Sequence, residues 1–301
     1  MNVRIVGVGL AASAVCLSSY SISANAHGFA GARFFPATLM TDDPFVADEW
    51  SFPTITWSKD ADGVAGTTAS MDIAKRITSN IAVEVAATWM ELRPPSGPAM
   101  EGFDNLSLGA KYLLSVDPAH ETIFAIGGDV DIGGTGARRV GADSFSTITP
   151  TFYFGKGFGD IAPASSLLRP IAVTGTIGVG LPTAARAPGG PNDTLQFGLA
   201  LEYSLTYLQT QVVDAGLRPP FDRMIPVVEF SLQKPLDEVS QKITGNISPG
   251  VLWAGQYMQF GAEALLPVNR ASGRTVGFIA QLHLFIDDIF PQTVGRPLFG
   301  A

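Results

Sequence analysis

The three histidines of this 301-residue chain, at positions 27, 120 and 283, are the side chains best suited to acid–base or metal chemistry near neutral pH. A histidine at a mature N-terminus presents an amine and an imidazole to one copper ion, which makes His27 a candidate copper ligand. Such a site needs a second histidine nearby, and His120 and His283 fall in a predicted turn and in the last predicted strand. A plain exposed terminus is therefore the favoured interpretation, with no metal and no cofactor expected.

A serine hydrolase is the second kind of chemistry that His283 could support, with Ser248 or Ser107 as the nucleophile on an adjacent strand. No spacing favours either serine, and the sequence lacks the Gly-x-Ser-x-Gly turn of the α/β-hydrolases. The glycines at 127–128 and 133–136 are not followed by the Lys-Ser/Thr pair of a phosphate-binding loop. The sequence therefore predicts no catalytic residue and no enzyme activity.

The acidic side chains recur at alternate positions of apolar stretches. Between residues 194 and 205 the odd positions are apolar, while the even positions are small or polar and include Glu202. Because a strand directs alternate side chains to opposite faces, this pattern predicts strands with one apolar and one polar face. Twelve stretches are predicted as strands: 49–58, 67–79, 81–89, 106–114, 124–132, 145–158, 171–181, 194–205, 224–235, 244–254, 256–266 and 275–287.

Composition narrows the fold class. Apolar residues make up 46% of the chain and charged residues 15%, against roughly 25% charged in an average globular domain. The mean hydropathy is +0.25, yet no run of about 20 apolar residues follows the N-terminus. These features predict an all-β fold, a closed antiparallel transmembrane β-barrel of about 12 strands. A soluble periplasmic β-sandwich is the alternative fold, and the net charge of −8 disfavours a nucleic-acid partner.

The N-terminus has the features of a secretory signal peptide. Arg4 precedes an apolar run that ends in small residues at Ala24-Asn25-Ala26, which predicts cleavage after Ala26 and removal of Cys16, the only cysteine. Residues 27–48 follow as a non-periodic segment, predicted to plug the barrel or to bind a periplasmic partner. Residues 49–288 are predicted to form the barrel and residues 289–301 a C-terminal tail. The predicted location is the outer membrane of a Gram-negative bacterium.

Connection lengths give a second test of the barrel, since one end should carry short turns. Short connections are predicted at 79–80, at 117–120 and near residue 255. The connections at 159–168 and 209–220 are longer than this rule allows, so the strand count or register is in question there.

Ten ionisable side chains are predicted to face the lumen. They are Asp72, Arg76, Glu84, Lys111, Asp129, Asp131, Glu202, Glu229, Glu263 and His283. The excess of acids is consistent with a pore that prefers cations. It is equally consistent with a hydrogen-bonded network that fills a narrow barrel.

The stretch at 105–112, NLSLGAKY, resembles the DLTLGAKY-type strand of the outer-membrane transporter family of the meta-pathway of phenol degradation. The apolar-glycine strands and the QLHLF stretch at 281–285 are similar too, so that the resemblance covers residues 81–286. It implies a porin-like passive channel for a small hydrophobic or aromatic compound, with outer-membrane lipid and that solute as partners. The alternative is a closed-lumen barrel with a structural or partner-binding role.

Overall fold

A computed structural model of the protein describes residues 28–184, 191–236 and 242–300, so His27 and the predicted signal peptide lie outside the described residues. The strands are β1 (Phe29–Ala30), β2 (Arg33–Phe34), β3 (Glu49–Lys59), β4 (Ala65–Thr78), β5 (Ile81–Arg93), β6 (Met100–Phe103), β7 (Leu106–Asp117), β8 (Thr122–Ile132), β9 (Thr147–Gly157), β10 (Ile171–Pro182), β11 (Thr194–Tyr203), β12 (Met224–Pro235), β13 (Thr244–Ala254), β14 (Met258–Pro267) and β15 (Gly277–Phe285). Short helical elements are α1 (Leu205–Tyr207), α2 (Ile286–Ile289), a π-helical turn at Leu208–Val212 and 3₁₀ turns at Arg138–Val140 and Phe221–Arg223. Across these residues, no helix is long and apolar enough to cross a membrane.

Twelve of the strands form one closed antiparallel barrel. Each pairs with its neighbours along the chain, and β15 pairs with β3 to complete the ring. The short strand β6 extends the sheet beside β5, and β1 pairs only with β2. The fold class and the strand count predicted from alternation are therefore confirmed, and all twelve predicted stretches overlap a barrel strand. A sandwich is excluded because a single sheet closes on itself.

The two faces of the barrel differ as the alternation predicts. On the outside, Ile177 of β10 lies between Phe152 of β9 and Phe197 of β11, and all three side chains are exposed. On the inside, Thr174 and Ala200 of the same sheet are fully buried. An apolar outer band on a closed barrel is the surface that meets lipid hydrocarbon in transmembrane barrels.

Adjacent residues of β10 provide a test of this assignment. Replacing Ile177 by lysine places a charge at the middle of the apolar band, and we expect the free energy of unfolding in lipid or detergent to fall by about 2–4 kcal/mol. Replacing Thr176, whose side chain faces the lumen, by lysine should cost much less because water reaches that side. Urea unfolding followed by tryptophan fluorescence measures both. Equal losses for the two variants would contradict a lipid-facing Ile177.

The barrel has two distinct ends. We call the end at which β3 begins and β15 finishes the terminal end, and the opposite end the loop end. The connections that follow β9 and β11 belong to the terminal end and are long, as the sequence indicates. They hold the β1–β2 hairpin: Arg33 of β2 donates to the carbonyl oxygens of Arg169 and Pro170, which precede β10. The two long connections therefore do not indicate a wrong strand count. The barrel has twelve strands, and the additional residues of these connections contact the N-terminal hairpin.

Candidate functional site

The lumen contains a stretch of the chain that we call the luminal segment, residues 35–48. Its first and last parts are buried, including Phe35, Val46 and Asp48. The Phe35 and Phe45 rings lie 5.9 Å apart, so the chain enters the barrel, turns and returns beside itself to begin β3 at the terminal end. The luminal segment therefore lies inside the barrel, and a plug role for residues 27–48 stays a prediction. A periplasmic partner for this region stays a prediction.

Glu229 of β12 holds the turn of the luminal segment. Its Oε1 accepts from the backbone N–H of Leu39 at 2.6 Å, and its Oε2 accepts from Met40 at 3.0 Å and Thr41 at 2.6 Å. Three successive N–H groups thus form a concave anion site around a fully buried carboxylate. Gln259 of β14 adds a bond from its amide nitrogen to the carbonyl oxygen of Ala37, at 2.5 Å.

Two glycines of the inner wall permit this close contact. A Cβ at Gly198 would lie 2.6 Å from a side-chain carbon of Thr41, and one at Gly261 would lie 2.5 Å from a Leu39 methyl carbon. A side chain at either position would force Leu39, Thr41 or a neighbouring wall side chain to shift. Glycine therefore has a packing reason at these two positions of the inner wall.

Arg76 closes the terminal end rather than lining open space. Its Nε lies 2.7 Å from Asp48 Oδ2, and its Nη2 donates to the carbonyl oxygen of Gly295 at 2.8 Å. Lys75 lies 2.5 Å from the other Asp48 oxygen. The C-terminal tail is held here as well, because the Leu298 N–H donates to the Arg76 carbonyl oxygen.

Lys111 is the basic side chain of the inner wall that reaches the turn of the luminal segment. Its Nζ lies 2.9 Å from Asp42 Oδ1 and donates to the Asp43 carbonyl oxygen at 2.8 Å. The Tyr153 ring lies below the same ammonium group, at 4.8 Å from the ring centroid. The positive charge of Lys111 is therefore paired with the luminal segment, and it neutralises little of the negative charge of the carboxylates on the barrel wall.

The remaining predicted luminal residues occupy different levels of the barrel. Glu202 is buried and accepts from Thr174 Oγ1 at 3.1 Å, while Glu263 is buried against Gly250. Asp131 lies next to the end of β8 and is exposed at the loop end. The others, Asp72, Glu84, Asp129 and His283, line cavities.

Two cavities lie on either side of the turn of the luminal segment. The first, which we call the histidine cavity, has a volume of about 370 Å³ and is lined by Glu49, Ser51, Asp72, Glu84, Lys111 and His283 among others. The second, the threonine cavity, has a volume of about 420 Å³ and is lined by Asp129, Thr149, Thr151, Tyr153, Thr176 and Asn246 among others. Met40 and Asp42 contact both cavities, so the turn of the segment is the partition between them. Over the described ranges, no group of three or more His, Cys, Asp or Glu side chains is arranged to hold a metal ion.

One group of polar residues in the histidine cavity was not found in the sequence. His283 Nδ1 lies 2.8 Å from Ser51 Oγ, and its Nε2 lies 3.3 Å from Glu49 Oε2. The serines considered from the sequence are elsewhere: Ser248 lies on β13 and Ser107 on β7, whereas β15 pairs with β14 and β3. Ring closure makes the first and last barrel strands neighbours, but their register cannot be inferred from alternation alone.

A second polar cluster joins the β1–β2 hairpin to the terminal end. Arg33 Nε lies 3.1 Å from Glu121 Oε2, and the Tyr207 hydroxyl donates to Glu121 Oε1 at 2.7 Å. The Arg33 guanidinium lies 3.8 Å from the centroid of the Tyr207 ring. Burial, together with the adjacent carboxylate, raises the pKa of Tyr207. The cluster is buried and anchors the start of the luminal segment.

Comparison with known proteins gives fold-level neighbours. No family model matches the chain, and no curated protein matches it. The β-domain of the Bordetella autotransporter Brka is similar with 13% identity and a TM-score of 0.43, over 80% of this chain and 99% of that one. The translocator domain of the autotransporter NalP from Neisseria meningitidis is similar with 10% identity and a TM-score of 0.40, over 79% and 86%. The phenol meta-pathway family stays a prediction, whereas the porin-like barrel that it implies is confirmed by the closed twelve-stranded sheet.

Proposed function

We propose that the protein is an outer-membrane β-barrel of a Gram-negative bacterium that acts as a narrow passive channel for small solutes. The observation that carries this proposal is the pair of cavities inside a closed barrel, separated only by the turn that contains Met40 and Asp42. The apolar outer band supports the membrane location. Three of the five connections at the terminal end are short, which by the rule for bacterial barrels favours the periplasm for that end. The luminal segment narrows the path and limits the size of the solute.

The chemistry of the lining points to a polar solute. Hydroxyl and amide groups predominate in the threonine cavity, and carboxylates of Asp72, Glu84 and Asp129 outnumber the one lysine, which Asp42 already pairs. Rings of carboxylates favour cations in channels. A hydrophobic or aromatic compound, which the family resemblance implies, would meet mainly hydroxyl and amide groups in the threonine cavity. We therefore propose small neutral or cationic polar solutes as the permeating class.

A closed-lumen barrel with a structural or partner-binding role is the second candidate. It is favoured by the buried luminal segment and by the three hydrogen bonds that Glu229 accepts from it. If these contacts never open, the cavities do not communicate. The barrel would then have a structural role or bind a partner at its surface, and no solute would pass through it.

Conductance in planar bilayers distinguishes the two candidates. We expect the refolded mature chain to give small single-channel currents, with a reversal potential in a KCl gradient that shows preference for K⁺ over Cl⁻. Heat-modifiable mobility on gels verifies that the inserted barrel is folded. Folded barrels that insert and never conduct would contradict the channel and favour the closed lumen.

A further inference from the structure

We propose that Ser51, His283 and Glu49 form a hydrolytic site in the histidine cavity that cleaves small carboxylic esters. The activity is separate from solute passage and does not depend on it. Ser51 is assigned as the nucleophile, His283 as the general base and acid, and Glu49 as a positioning residue for the imidazole.

The geometry is that of a nucleophile, a base and an orienting carboxylate in line. Ser51 Oγ and His283 Nδ1 are separated by 2.8 Å, within the hydrogen-bond reach that general base catalysis requires. Glu49 Oε2 lies 3.3 Å from Nε2 on the other side of the ring, close enough to orient the imidazole, although no aligned hydrogen bond joins the two atoms. His283 is 3% exposed, so the imidazole is held by the protein, while all three residues line the cavity.

The position of Glu49 decides the protonation pattern of the ring. A carboxylate beside Nε2 favours the neutral tautomer that carries its proton on Nε2, because the negative oxygen attracts that N–H. The other ring nitrogen, Nδ1, then has no proton. Nδ1 is then the acceptor, and the Ser51 hydroxyl donates to it. This is the pattern needed to remove the serine proton, with the two ring nitrogens exchanged relative to the serine protease arrangement.

A β-bulge brings Ser51 into this position. The pairing of β3 with β4 shifts between Ser51 and Thr54, so Phe52 and Pro53 both lie on the outer face and are exposed. Ser51 and Thr54 consequently both line the histidine cavity, and Ser51 lies directly opposite His283 in the β3–β15 pair. Bulges are used near functional sites to redirect a side chain, and proline suits one because it lacks an N–H.

The cavity limits the class of ester. Its volume of about 370 Å³ is at the lower end of the range for small-molecule sites, roughly 300–1,000 Å³. Met40, Phe45 and Ile279 supply apolar contacts for a short acyl chain. Gln281 Nε2, which donates to Thr54 Oγ1 at 3.0 Å, and the Thr54 hydroxyl are donors available to a developing oxyanion. The nearby carboxylates disfavour anionic substrates, so the class is short neutral or cationic esters.

The reaction is a two-step acyl transfer to water. Ser51 Oγ forms a bond to the ester carbonyl carbon while its proton passes to His283 Nδ1. The bond from that carbon to the alcohol oxygen then breaks, and the leaving alcohol takes the proton from Nδ1. A water molecule attacks the acyl-serine, gives its proton to Nδ1, and releases the carboxylic acid as the proton returns to Ser51 Oγ. Atoms and charge balance with water as the co-reactant.

Covalent labelling of the full mature chain in detergent micelles tests the site. We expect a small fluorophosphonate to modify Ser51, located by peptide mass spectrometry, and Ser51→Ala to abolish the adduct. Ser107→Ala serves as the matched control, because that serine faces the lumen on β7, away from His283, and labelling should be unchanged. His283→Gln should slow labelling at least about a hundredfold. Absence of an adduct on Ser51, or equal labelling of other serines, overturns the proposal.

Hydrolysis of 4-nitrophenyl acetate tests the role of Glu49. We expect Glu49→Gln to reduce the rate at least about tenfold and Glu49→Asp to restore part of it, because a carboxylate is regained. A purely structural role would be served by glutamine at least as well as by the shorter aspartate. Equal rates in the wild-type protein and Ser51→Ala would also overturn the site, provided that heat-modifiable mobility shows both barrels folded.

Discussion

Replacement of Glu229 by glutamine is expected to increase the conductance of the barrel. The carboxylate accepts three backbone N–H groups from Leu39, Met40 and Thr41, and an amide offers one oxygen while its NH₂ group opposes the remaining donors. Loss of charge assistance weakens each bond by about 1 kcal/mol, so the turn of the luminal segment loses about 3 kcal/mol of attachment. That corresponds to a shift of roughly a hundredfold toward the displaced segment.

The control for this variant is Glu202→Gln. Glu202 is also buried on the inner wall, but its described hydrogen bond comes from Thr174 of the neighbouring strand rather than from the luminal segment. In planar bilayers, we expect openings at least about tenfold more frequent for Glu229→Gln than for Glu202→Gln. Matching conductance in both variants and the wild-type protein would show that the luminal segment does not limit flow.

The barrel itself could be predicted because its determinant is local. Alternation within stretches such as 194–205 assigns each side chain to a face, and a strand keeps that assignment whatever its neighbours are. Glu202 and Glu229, on the even and odd positions that alternation assigns to the inner face of β11 and β12, are both buried. The two long connections at the terminal end looked irregular because the turn rule ignores a chain segment that occupies that end.

The contents of the lumen could not be predicted, because they depend on contacts between distant parts of the chain. The luminal segment has no period, so nothing in its sequence indicates where it turns. Asp42 meets Lys111 from 69 positions away, and Ser51 meets His283 from 232 positions away. The second contact also depends on the bulge at residues 52–53, which changes the face of every later residue of β3. From the sequence, His283 is a candidate, but the serines considered beside it are Ser248 and Ser107 rather than Ser51.

Arg33 is expected to be the side chain whose loss costs the most stability at the terminal end. It is fully buried and pairs with the buried Glu121, while its other nitrogens donate to the carbonyl oxygens of Arg169 and Pro170. Replacing it by methionine leaves the buried Glu121 carboxylate without its cationic partner, while the Tyr207 hydroxyl and the Gly159 N–H still donate to it. We expect the free energy of unfolding to fall by about 3–5 kcal/mol, measured by urea titration in detergent micelles.

Two further variants separate this effect from a general loss of charge. Lys156→Ala removes an ion pair with Asp160, but that pair is partly exposed, so a change of at most about 1 kcal/mol is expected. Arg33→Met combined with Glu121→Gln should recover part of the loss, because the unpaired carboxylate that causes it is gone, while the Tyr207 hydroxyl keeps an amide oxygen to donate to. A double variant no more stable than Arg33→Met alone would contradict this explanation, because the unpaired Glu121 carboxylate would then not be the cause of the loss.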